Sequence, residues 1–227
     1  MKNVGAVMYK TINDLGEELV KCSLKCEGIN NNPKLGAIPR GLFLEKRNGK
    51  KRCIVVGLNP GKCKEWEREY FRNNGIKFDS LSKSFHETNL KSVRYFKRTR
   101  DLITSLGFDG DILWTELVKC ECIGENGKIP VQTLRVCIDR FLRKEVKLFE
   151  CQTIFSLGNM AFDFCALSLP NHFVVGLPHP SGSYGDFNRL KERVLSDTKR
   201  FTNIISETKD SNGKFRAIHL SKVQDAP

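Results

Sequence analysis

Three short stretches carry residue types able to do chemistry on a polar ligand. Gly57-Leu58-Asn59-Pro60-Gly61 offers an amide at the tip of a turn. Thr115-Glu116 puts a hydroxyl and a carboxylate at the end of an apolar run, and Pro178-His179-Pro180-Ser181-Gly182 offers an imidazole beside a hydroxyl. Taken singly, each reads as a turn or a structural histidine, because Asn, Pro and Gly favour turns for local backbone reasons. A fourth feature is nine cysteines, an odd number that cannot all form disulfides. In a reducing compartment, clustered thiols are better explained by metal or iron–sulfur ligation. Cys53, Cys63, Cys122, Cys151 and Cys165 sit in contexts where free cysteine acts as a small hydrophobe and filler.

The surrounding pattern predicts what must position these groups. Residues 12–26 read as a short amphipathic helix running into Cys22 and Cys26, followed by a polar Gly/Asn/Pro-rich loop from Gly28 to Arg40. Apolar runs at Cys53–Gly57, Ile112–Val118, Thr153–Leu157 and His172–Val175 predict four strands. Helical spacing occurs at Val93, Phe96, Leu102 and Ile103, over 133–149, after Asn159 and over 188–205, with a polar, mobile stretch at 206–217. Strands alternating with helices predict an α/β fold: a central parallel four-stranded sheet with helices on both faces, in a single domain over 1–227. Ligands in such sheets bind beyond the carboxyl ends of the strands, so the three stretches should converge on one site.

In this order and spacing, Gly57-Leu-Asn59-Pro-Gly61 and His179-Pro180-Ser181 resemble the two motifs of the uracil-DNA glycosylase superfamily. Lys119-Cys120, Cys137, Phe141-Leu142, Ile154–Gly158 and Ala161 look like its iron–sulfur (family four) branch, though with an Asn-Pro-Gly first motif. The resemblance runs from about Cys22 to Ile205. It implies a [4Fe–4S] cluster on Cys22, Cys26, Cys120 and Cys137. The first pair is spaced Cys-x3-Cys where the branch has Cys-x2-Cys, and Cys122 could replace Cys120. A structural zinc would satisfy the same thiolates, and four unligated cysteines are the remaining alternative.

The resemblance also implies roles at the site. Asn59 would orient the attacking water and His179 would donate to the pyrimidine oxygen where charge develops, both as catalytic residues. Ser181 would hold the adjacent phosphate. Phe71 or Tyr70 would floor the base pocket, with a core position the alternative for Phe71, and Tyr184 or Phe187 would fill the vacated base stack. At the place where the branch reads uracil with Asn, this chain has Glu116. An ionised carboxylate lacks a donor for uracil O4 but accepts well from the N4 of cytosine. A modified cytosine is therefore the expected base, in keeping with superfamily members that remove such bases from phage DNA in host defence. Uracil repair remains open if Glu116 is protonated, or if it turns away and leaves Thr115 lining the pocket.

Charge agrees with a polyanionic partner. The chain carries a formal net charge of +12, and Lys91, Arg94, Lys97, Arg98 and Arg100, then Arg189, Lys191, Arg193, Lys199 and Arg200, form two basic faces suited to DNA. No apolar run approaches a bilayer span and the first residues lack a secretory h-region, which predicts a monomeric, cytoplasmic, nucleoid-associated protein without membrane contact. A catalytically inactive DNA-binding relative and an iron–sulfur sensor are the competing classes. Retention of both Asn59 and His179 favours the enzyme.

Overall fold

The computed structural model describes residues 11–124, 128–210 and 216–224. In chain order, α1 (Ile12–Val20) is followed by β1 (Ile29–Asn30), β2 (Leu42–Glu45) and β3 (Cys53–Gly57). Next come α2 (Glu65–Asn74), α3 (Phe78–Ser84), the single turn α4 (Leu90–Ser92) and α5 (Arg94–Ser105). Strands β4 (Ile112–Glu116) and β5 (Glu121–Cys122) precede α6 (Val131–Cys137) and α7 (Arg143–Phe149). The chain closes with β6 (Thr153–Leu157), α8 (Asn159–Ser168), β7 (Phe173–Leu177), α9 (Tyr184–Ser196), α10 (Thr198–Asp210) and β8 (Ala217–His219).

The central sheet has six strands, not four, in the order β2-β4-β3-β6-β7-β8. The four predicted strands are its parallel centre. β3, β6 and β7 are buried at every position, as continuous apolar runs must be when helices cover both faces. The two strands the sequence hid lie at the edges: β2 pairs antiparallel with β4, and three-residue β8 pairs parallel with β7. Leu42-Phe-Leu-Glu and Ala-Ile-His are too short to show a period.

Successive residues of a strand face opposite sides. Ile54, Val56 and Leu113 therefore pack with α1, α3, α7 and α8, whereas Val55, Ile112 and Trp114 pack with α5, α9 and α10. This alternation fixes the next two residues of β4. Thr115 points to the α7 side and Glu116 to the α5 side.

Some boundaries differ from the expected ones. Helix α1 ends at Val20, capped at Thr11 by a reciprocal bond with Asp14, so Cys22 and Cys26 stand in the loop beyond it. The predicted closing helix is two helices, α9 and α10. Of the stretch 206–217, residues 206–210 complete α10 and Ala217 opens β8, while 211–215 lie outside the described residues. Two π-helical turns, Phe85–Asn89 and Ile138–Leu142, interrupt helical runs next to the site and next to Cys137, where such turns tend to collect. Among the described residues, no helix is long and apolar enough to cross a membrane.

Candidate active site

The loops after β3, β4 and β7 meet around a cavity of about 320 Å³ lined by Arg40, Asn59, Phe71, Tyr95, Glu116 and His179, with Phe43, Phe85, Phe96 and Trp114 forming an aromatic wall. That wall is braced from the edge strand. Phe43 of β2 stacks on Phe85 at 4.2 Å, and Glu45 accepts from Trp114 Nε1 at 2.8 Å and from Arg100 at 2.9 Å.

Asn59 has both amide hydrogens committed. Its Nδ2 donates to Pro60 O at 2.9 Å and to Cys122 Sγ at 3.0 Å, so Oδ1 is the group free to accept. His179 is fixed in the complementary sense. The backbone N–H groups of Gly182 (2.8 Å) and Ser181 (3.3 Å) point at Nδ1, which must be the acceptor, leaving the ring proton on Nε2. Burial also holds the His179 pKa below its ordinary value, so the ring is neutral and still a donor. Tyr95 leans on it, with ring centroids 5.6 Å apart.

Glu116 projects into the cavity wall with Oε2 buried and unpartnered. Its neighbours leave no spare room. A Cβ on Gly57 would strike Oε2 and come within 2.9 Å of Tyr95 Oη, and one on Gly41 would stand 2.7 Å from Glu116 Cγ. Burial pushes the Glu116 pKa up to about 8, against the pull of Lys119 and Arg40 and with the push of Glu145. The Tyr95 phenol is raised as well, by burial and then by Glu116. Thr115 also lines the cavity, but its hydroxyl is committed elsewhere. Its hydroxyl donates to Glu145 Oε2 at 2.6 Å on the opposite face, where Lys119 Nζ lies 2.8 Å from the same oxygen.

The family model of the Uracil DNA glycosylase superfamily matches residues 46–199, which hold both motifs and the four central strands. The chain belongs to the uracil-DNA glycosylase superfamily. None of the curated proteins matches it. Members of the superfamily are DNA glycosylases, hydrolases acting on DNA, and the cavity of this superfamily member brings Asn59, His179, Glu116, Phe71 and Ser181 together.

Other expected residues stand elsewhere. Tyr70 is not among the cavity residues; it packs against the core and edge-on to Phe71. Phe187 is 1% exposed in the core and cannot enter a base stack, whereas Tyr184 is 45% exposed at the start of α9. Arg98 spans the two elements, stacking on Tyr184 at 3.9 Å and donating to Pro180 O at 3.1 Å, so it braces the second motif as well as adding charge; Lys97 is exposed. Arg100 is spent on Glu45, and Arg193 and Arg200 donate to the carbonyls of Val223 and Gln224.

Three contributors escaped the sequence reading: Arg40, in a loop legible only as polar; Tyr95, between Arg94 and Lys97 of a basic face; and Cys122, read as filler. No periodicity or motif marks them.

A second, small cavity is lined by Cys22, Cys26, Cys120 and Cys137 with Lys119, Arg140 and Phe141. Burial raises the thiol pKa of Cys120, and negative charge on Cys137, Cys22 and Cys26 would raise it further. Cys122 is turned to Asn59 and is not among the residues lining this cavity. Among the described residues, no group of His, Cys, Asp and Glu has the arrangement to hold a metal ion as it stands.

Proposed function

We propose that this protein is a monofunctional DNA glycosylase that draws a flipped pyrimidine, a modified cytosine, into the 320 Å³ cavity and hydrolyses its N-glycosidic bond, leaving an abasic site. The observation that carries the reading is Glu116, a carboxyl unpartnered in the wall between the Asn59 loop and His179. Asn59 Oδ1 holds the water and His179 Nε2–H donates to O2 of the departing base. Because His179 is neutral before reaction, it stabilises the growing charge without giving up its proton. Glu116 accepts from N4–H. Removal of a modified cytosine fits defence against phage whose DNA contains it.

The raised pKa of Glu116 favours a second reading. At neutral pH the carboxyl is protonated, and its O–H could donate to uracil O4 while its carbonyl accepts from N3–H. The two readings separate with pH. Uracil release needs that proton and should fall as pH rises through about 8, whereas release of a base bearing N4–H should persist. A glycosylase panel over uracil, thymine mismatches and modified cytosines, run on both sides of that value, makes the test. Above that value, where the carboxylate is ionised, Glu116→Asn should shift preference towards uracil by one to two decades, from the roughly 1.5–3 kcal/mol of a charge-assisted hydrogen bond. Glu116→Gln should slow the cytosine-type reaction less than Glu116→Ala. Strong uracil release untouched by all three substitutions would remove Glu116 from base reading.

The same group makes folding pH-dependent. With its pKa raised in the fold and ordinary in the unfolded chain, Glu116 binds more protons folded than unfolded between those limits. Stability therefore falls as pH rises through that window. Glu116→Gln should flatten the fall, gaining on the order of a few kcal/mol near its upper end in urea melts.

We further propose that Cys22, Cys26, Cys120 and Cys137 hold a [4Fe–4S] cluster. Four soft thiolates around one cavity, drawn from the α1–β1 loop, the β4–β5 turn and α6, suit it chemically, and zinc would use the same set. When bound, the group would staple the N-terminal segment to the sheet. Protein purified without oxygen should be brown, absorbing near ~400 nm, and Cys22→Ala or Cys137→Ala should lose colour and thermal stability together. A colourless zinc protein would decide for zinc, and a folded, metal-free one would remove both.

A further inference from the structure

Arg40 enters the wall of the cavity from the loop before β2, and its side chain is only 8% exposed. One end of its guanidinium is committed. Nη2 donates to Gly61 O and lies 3.5 Å from Glu121 Oε2. Glu121 is itself buried and held, accepting from Cys63 N at 2.7 Å and Asn30 Nδ2 at 2.9 Å, so the guanidinium is tied to a rigid anchor. Nη1 is buried and has no hydrogen-bond partner. An orphan donor on a cation costs the fold free energy and is retained where something else supplies the acceptor.

The other orphan in this wall is Glu116 Oε2, and Glu116 packs against Gly41, the residue after Arg40. The two side chains form no ion pair with each other within 4 Å. A donor and a carboxyl, both unpaired, thus stand near one another at the same cavity.

We propose that Arg40 is a base-reading residue: its Nη1 donates to ring N3 of the flipped cytosine-type base while Glu116 accepts from N4–H and His179 donates to O2. The proposal rests on the pyrimidine-glycosylase reading and extends it by supplying a donor that does not depend on the protonation of Glu116. Three groups then address three consecutive positions of the base edge. Arginine suits the task because its planar fork can hold Gly61, face Glu121 and still present one N–H in a fixed direction, which a lysine ammonium cannot do.

The test compares free cytosine with 3-deazacytosine, in which C–H replaces ring N3, following fluorescence of Trp66 and Trp114 in the cavity wall. Wild type should bind cytosine roughly tenfold more tightly, and Arg40→Gln should lose about that factor for cytosine and show no preference between the two. Arg40→Lys, which keeps the charge but not the fork, should also lose the preference and decides the matter if Arg40→Gln does not fold. A preference that survives both substitutions, or a wild type that binds neither base or both alike, overturns the proposal. Single-turnover release from DNA separates it from the broader reading. If N3 discrimination depends on Arg40 but no pyrimidine is released, the glycosylase reading fails and the Arg40 assignment stands. If release occurs without N3 discrimination, the reverse holds.

Discussion

Asn59→Ala and His179→Ala should each slow base release by roughly a hundredfold or more while leaving DNA affinity near wild type, measured by single-turnover cleavage beside equilibrium binding. In the proposed reaction both groups act chiefly on the transition state, and loss of one preorganised donor at a developing oxyanion costs about that much. The hydrogen-bond pattern sharpens the expectation. With Nδ1 of His179 accepting from Ser181 and Gly182, the donor in question is Nε2–H, so His179→Gln, which restores an N–H, should recover part of the loss. Cys122→Ala is the control for Asn59. It removes one acceptor of Nδ2 but leaves the Pro60 bond, so its effect should be several-fold only. Full activity of Asn59→Ala on the true substrate would end the water-positioning assignment.

Lys119→Ala should cost roughly 3–5 kcal/mol of stability in denaturant titrations, because it strands a fully buried carboxylate. Lys119 and Glu145 are 1% and 0% exposed and 2.8 Å apart, and Glu145 Oε1 already has no partner. Lys119 Nζ also bonds Thr115 Oγ1 and, at 2.7 Å, Glu116 O, so the pair ties α7 to the end of β4 that carries the cavity carboxyl of Glu116. Replacing both partners together, Lys119→Met with Glu145→Leu, should cost much less than Lys119→Ala, since no uncompensated charge remains. If the single and double replacements cost the same, the buried charge is not the source of the loss.

The residue pattern alone marks the parallel centre of the sheet, because fully buried strands must be continuous apolar runs, and Cys53–Gly57 and Thr153–Leu157 are legible on that ground. It also determined that Asn59, Glu116 and His179 share one end of that sheet, since each follows or closes a parallel strand and so stands at a carboxyl end. What it could not carry depends on contacts between residues far apart in the chain. Edge strands β2 and β8 are defined by their partners in β4 and β7, not by any period within four or three residues. Which of the Thr115 and Glu116 side chains faces the α5 side turned on which face of β4 meets α5, and that is fixed by the packing of Trp114 and Leu113 into opposite cores. Cys122 against Asn59 and Arg40 beside Glu116 join segments 63 and 76 positions apart in sequence. Tertiary structure decided these because a side chain's partner, burial and pKa belong to the space it occupies, and only the closed fold creates that space.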